Sequence, residues 1–284
     1  MIRPGLIVVI AASLMLSGCA ALVSKAANNF GNNLSAAILS QDDPEIVRAG
    51  MPSYMLLMDS FVQGSPDNPA TLGAAANLYA SYGAVFADDA VRSSRLTRRA
   101  RDYALQAMCL SYAASCDWRE LDYDSFVATL DGLGAEHADA VYNYSFATLA
   151  YLRAHSSDWN ALAELPQAEA VLRRYLEIAG VAVNTSAYTY LGIMLTLRPE
   201  SLGGKPEEAR TYFERAIELT GGRDLSVKVE FAKGYAMLLY DQELHDRLVS
   251  EVLAASPYAD GLTLTNVMAQ EEALRLQAEA EYYF

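Results

Sequence analysis

Three kinds of side chain in this 284-residue sequence could carry chemistry: cysteine, histidine and tyrosine. Cys19 closes the sequence Leu16-Ser17-Gly18-Cys19, after a basic start at Arg3 and an apolar run from Leu6 to Leu16. A run of that length has the dimensions of an export-signal core, whereas a spanning helix needs roughly 20 apolar residues. Small residues at Ser17 and Gly18 let a peptidase bind the backbone in extended form, and the Cys19 thiol is a nucleophile that can take up diacylglycerol. Residues 1–18 are therefore expected to be a lipoprotein signal peptide, with the mature chain anchored to a membrane through acyl chains on Cys19. Ala20 follows, and without an aspartate there the outer membrane is slightly favoured over the inner one, on a periplasm-facing anchor.

Cys109 and Cys116 remain as a pair. In an oxidising compartment an even pair points to a disulfide. Seven residues apart on a continuous helix, however, they would lie about 10 Å from each other, beyond disulfide reach. A bridge requires the helix to end near Ala114; the alternative is two free buried thiols. His137, His155 and His245 are far apart and lack a partner at metal-ligand spacing. Gly203-Gly204-Lys205 invites comparison with a phosphate loop, but Pro206 removes an amide donor and reads as the first residue of a helix. No catalytic residue, metal site or cofactor site is expected, and the chain is read as a non-enzyme. Tyrosine is enriched at 18 residues, including Tyr79, Tyr82, Tyr142, Tyr144, Tyr188 and Tyr190. Each offers a rigid apolar face and a polar tip suited to a peptide or amphipathic ligand; the alternative is core packing between repeats. Residues two apart diverge by about 200° around a helix, so Tyr142/Tyr144 and Tyr188/Tyr190 cannot both be wholly buried.

The elements that must position these residues read as helical almost throughout. Residues 19–41 are small and polar and read as a lipidated tether; residues 42–284 read as one helical domain. Asp43-Pro44-Glu45 is a helix start, with a kink expected at Pro52. No stretch alternates as a strand does, so the fold class is all-α. Tyr188, Leu191, Gly192 and Leu195, followed by Ala209, Phe213 and Ala216, have the spacing of a tetratricopeptide hairpin. In that unit small residues sit where two helices touch and a large one wedges beside them. About four pairs are expected, over 70–113, 136–179, 185–220 and 225–256, with an extra N-terminal helix and a capping helix from Leu262. Several of the tyrosines fall on the first helices of pairs, which line the concave side of such stacks. Arg92, Arg95, Arg98, Arg99 and Arg101 form either a solvated face paired with Asp88 and Asp89 or a docking patch for an acidic partner.

The formal charge of −14 becomes −15 once Arg3 is removed. Nucleic acid and anionic lipid would be repelled by that field, so neutral or basic partners are expected.

Several segments together resemble a known family: Asp43-Pro44-Glu45 with Met51-Pro52, Ser65-Pro66-Asp67-Asn68-Pro69, Leu202-Gly203-Gly204-Lys205-Pro206-Glu207-Glu208-Ala209-Arg210, Phe213-Glu214-Arg215-Ala216, Gly221-Gly222-Arg223-Asp224-Leu225-Ser226 and Asn266-Val267-Met268-Ala269-Gln270. They look like the T component of TRAP (tripartite ATP-independent periplasmic) transporters, which are tetratricopeptide-like periplasmic lipoproteins. The likeness covers nearly the whole mature chain and departs between Met108 and Asp131 and in the Tyr-Tyr-Phe terminus. It implies an adaptor that docks the transporter's substrate-binding protein, as a homotrimer, with apolar clefts or a pore passing a small or apolar ligand. The alternative is an envelope lipoprotein scaffold for outer-membrane or cell-wall assembly.

Overall fold

A computed structural model describes residues 33–284, and no strand occurs among them. Cys19, the export segment 1–18 and the first part of the tether lie outside the described residues. Residues 33–39 are helical, and the first long helix, α1 (Pro44–Gly64), begins where the Asp43 carboxylate accepts the Glu45 amide at 2.9 Å. It continues through Pro52 and buries Val47, Met51 and Met55, spaced four residues apart on one stripe, against α2 (Pro69–Val85).

The expected all-α hairpin array is what the chain forms. α2 pairs with α3 (Ala90–Ser111), and these helices are capped by Asn68 and Asp89 respectively. Their contact is made by small residues: Ala76, Ala80, Ala100 and Ala104 are fully or almost fully buried. A Cβ on Gly83 would lie 3.0 Å from Leu96 and Thr97 side chains, so the two backbones are as close as side chains permit. After a short helix, α4 (Tyr123–Leu130), comes α5 (Ala138–Ala154), which packs on both α2 and α3. A single turn, α6 (Trp159–Ala163), leads into its partner α7 (Leu165–Ile178).

The third pair is α8 (Ser186–Thr196) and α9 (Pro206–Thr220), and here the repeat spacing acquires its physical meaning. A Cβ on Gly192 would stand 2.7 Å from the Phe213 ring, which is fully buried and stacked on Phe231 at 5.1 Å. The long connection between these helices is a compact turn. Gly203 adopts φ +86°, and any Cβ on Gly204 would collide with the Arg198 carbonyl at 1.8 Å.

In the fourth pair, expected over 225–256, the first helix is not regular throughout. α10 (Leu225–Glu230) passes into a π-helical stretch, Phe231–Ala236, before α11 (Gln242–Ala254). Gly234 sits in that stretch, where a Cβ would be 2.9 Å from the Thr196 hydroxyl of α8. The wider turn thus coincides with a close approach between neighbouring hairpins. α12 (Thr263–Tyr283) covers the end of the array. Asn266 fixes it: its side chain accepts the Leu225 amide at 2.9 Å and donates to the Arg223 and Pro257 carbonyls. Gln270 caps α11 by donating to the Val252 and Ala255 carbonyls. The first helices α2, α5, α8, α10 and α12 thereby pack in succession.

Candidate functional site

The six tyrosines separate into two groups. Tyr79, Tyr82 and Tyr144 are buried, in the inter-repeat packing that is the alternative to a ligand-facing place. Each became core because its hydroxyl or ring found an internal partner. Tyr79 donates to Asp59 at 2.7 Å and lies under the Arg99 guanidinium at 4.9 Å. Tyr82 lies under Arg92 at 5.2 Å, and Tyr144 meets the Trp118 ring edge-on at 5.2 Å. Tyr142, Tyr188 and Tyr190 are half-buried.

Tyr142, Phe146 and Arg153 lie along one stripe of α5, at steps of four and seven residues. Tyr190 of α8 stands against that stripe, 5.4 Å from the Phe146 ring and 6.0 Å from that of Tyr142. Beyond it Arg153 pairs with Glu230 of α10 at 2.9 Å, and Lys233 and Arg275 converge on Glu272 of α12. Aromatic rings and satisfied charges therefore run along successive first helices. Tyr188 takes a different direction, toward Tyr212 of α9 at 6.3 Å, which realises the divergence expected of residues two apart.

Burial raises the Tyr142 hydroxyl above its ordinary value, and burial together with Tyr142 raises Tyr190 far above it. Both remain protonated near neutrality and serve as hydrogen-bonding tips. The neighbouring Glu230 raises Arg153 still further, so that cation is permanent.

The structure brings together a serine and a histidine that sequence spacing did not connect. Ser94 Oγ lies 2.6 Å from His155 Nε2, and His155 Nδ1 lies 2.8 Å from the Tyr151 carbonyl. With Nδ1–H donating to that carbonyl, Nε2 accepts the serine proton, an arrangement that also precedes nucleophilic catalysis. Here Arg98 Nη2 stands 3.3 Å from the same Nε2. The trio joins α3 to the end of α5. His137 accepts the Gly134 amide at 3.0 Å, and buried His245 lies beside Asp246 and the Phe284 ring. Among the described residues no group of three or more histidine, cysteine, aspartate or glutamate side chains could hold a metal ion.

The arginines of α3 have largely internal duties. Arg92 pairs with Asp88, Arg99 with Asp59 and Arg101 with Glu164. Lys205, the residue that invited a phosphate reading, pairs with Glu169 at 2.8 Å. Cys109 and Cys116 are joined as a disulfide with a Cα–Cα distance of 4.5 Å, because α3 ends at Ser111 and the chain turns back. No described helix is long and apolar enough to cross a membrane.

Against this geometry, the chain matches the family model TAtT, TRAP transporter T-component, over residues 40–284. No curated protein matches it.

Proposed function

We propose that this chain, which belongs to the TRAP transporter T-component family, acts as a lipid-anchored periplasmic adaptor that docks the transporter's substrate-binding protein and hands on a small or apolar ligand. Association with a TRAP transporter follows from the family; the docking step is our reading of the surface. The observation that carries it is the face of Tyr142, Phe146 and Tyr190 flanked by the Arg153–Glu230 pair. Half-buried aromatic rings with polar tips, beside charges that are already neutralised, suit recognition of a protein surface and offer no nucleophile. The acidic mature chain favours a partner face that is neutral or basic. We place the anchor at Cys19, on the outer membrane in preference to the inner, and the working assembly as a homotrimer.

Co-purification with the substrate-binding protein encoded beside this gene tests the reading. A complex is expected at tens of micromolar, weakened at least about tenfold by Tyr190→Ala with the helical circular dichroism unchanged, a loss on the scale of an interface anchor. Absence of any complex at that concentration would sink it.

A further inference from the structure

A cavity of about 120 Å³ lies between α4, α5 and α7, on the side of α5 away from the tyrosine-lined face. Tyr144 and Thr148, four residues apart, contribute to its wall from the part of α5 roughly opposite Tyr142 and Phe146. Trp118, Phe126 and Ala168 supply the rest of its apolar lining, and all three are buried. Thr148 is 2% exposed, and its hydroxyl has no hydrogen-bond partner in the protein. A buried hydroxyl without a partner in an otherwise well-satisfied interior calls for something to meet it.

Several other polar side chains around this space have partners. Trp118 Nε1 donates to Thr129 Oγ1 at 2.8 Å, and Glu164 accepts from Arg101 at 2.6 Å. Gln167 donates to the Leu121 carbonyl at 3.4 Å, and Arg119 pairs with Asp102 at 2.6 Å. Beside Thr148 the wall also holds the Tyr144 hydroxyl, so one polar group on a ligand can meet both hydroxyls. A flat ring with one polar group matches this lining: the ring against Trp118, Phe126 and Tyr144, the polar group on Thr148. A cavity of similar size lined by aliphatic and aromatic side chains accepts benzene. Arg119 also borders an open groove of about 420 Å³ beside the Cys109–Cys116 disulfide. Its pair with half-exposed Asp102 is of the kind that breaks easily in water, which gives a ligand a way in.

We propose that this cavity is a binding site for a monocyclic phenol, with the ring enclosed by Trp118, Phe126 and Tyr144 and the hydroxyl bonded to Thr148. The site is separate from the docking face, so either can fail without the other. It is built by Trp118 and Arg119, which follow the disulfide, together with α4, α5 and α7.

Titration of the protein carrying Trp159→Phe, which leaves Trp118 as the fluorophore, with phenol and with toluene tests this. Phenol is expected to change the emission saturably with a Kd on the order of 1 mM or tighter, within the efficiency open to so small a ligand. Thr148→Val, which keeps the volume and removes the hydroxyl, should weaken phenol about fivefold and leave toluene unchanged. Ala168→Leu, which fills the space, should abolish binding of both while circular dichroism stays helical. Thr148→Val serves as the decisive variant if Ala168→Leu does not fold. No saturable change up to about 10 mM phenol, ten times that Kd, or equal phenol affinity in the Thr148→Val protein, would overturn the proposal.

Discussion

The charged side chains of this protein are used mainly to hold helices to each other, and Glu272 shows the consequence most sharply. Hydrogen bonds from Arg275 and from Lys233, against the opposing effect of burial, hold its carboxyl down to about 2 from an ordinary 4.5. A carboxylate with a depressed folded-state pKa contributes stability that is complete above its unfolded value and is lost as pH falls toward the folded one. The window here is pH 4.5 to 2. Since the partners are partly exposed, screening reduces the contribution to roughly 1–2 kcal/mol. Urea midpoints at pH 6 and pH 3 should therefore fall further for the wild type than for Glu272→Gln, and equal falls would remove Glu272 from the acid response. At this scale the sequence disclosed residue types but not partners. The arginines of α3 were readable as a cluster, yet nothing in their spacing showed that Arg101 would reach Glu164 across 63 positions or cover Tyr151 at 3.6 Å. The same holds for Ser94 and His155, which are 61 residues apart and meet only because α3 packs on α5. Tyr79 and Tyr82 were readable either as core or as an open face because a tyrosine is at home in both, until Asp59 and Arg92 supply the internal partners.

Helices and their pairing were far more legible, since small residues at regular spacing have one principal use. Gly192 opposite Phe213 is the clearest instance, and it yields a quantitative expectation. In Gly192→Ala the added methyl would start 2.7 Å from a ring that is fully buried and stacked on Phe231. Overpacking of that kind costs about 1–3 kcal/mol, or roughly 2–9 °C in Tm for a domain of this size. Gly64→Ala, where nothing lies within 4 Å of the new atom, should leave Tm almost unchanged. Adding Phe213→Leu to Gly192→Ala should restore part of the loss, and strict additivity of the two would show that the contact does not limit the approach of α8 and α9. The end of α3 could not be decided from spacing alone, because both a disulfide and two thiols were compatible with it until the chain was seen to turn after Ser111. The π-helical stretch Phe231–Ala236 was invisible for a related reason. Its residues keep a helical apolar pattern, and what distinguishes it is the approach of Thr196 to Gly234, a contact between separate hairpins.

The whole molecule is a row of hairpins closed by α12, and its use depends on where the row is held. Asn266 ties that last helix to the start of α10, so α12 is held to the array by a hydrogen-bonded seam. Under the adaptor reading proposed above, the array gains by being near its partner, and an anchor on Cys19 would supply that proximity. Confining both proteins to one compartment face raises their effective concentration without any new contact, provided the tether lets the surfaces meet. Acyl chains contribute about 0.8 kcal/mol per buried methylene, so two or three of them hold the protein durably, while the helical array folds by its own packing. Cys19→Ser should accordingly leave thermal unfolding of the helical domain unchanged, move the protein from the membrane fraction to the soluble one, and reduce uptake by the associated transporter. Overproducing the soluble variant should recover part of that uptake, because a higher bulk concentration replaces confinement. If uptake in the Cys19→Ser strain equalled the wild type at native expression, the anchor would have a purpose other than concentrating the docking face.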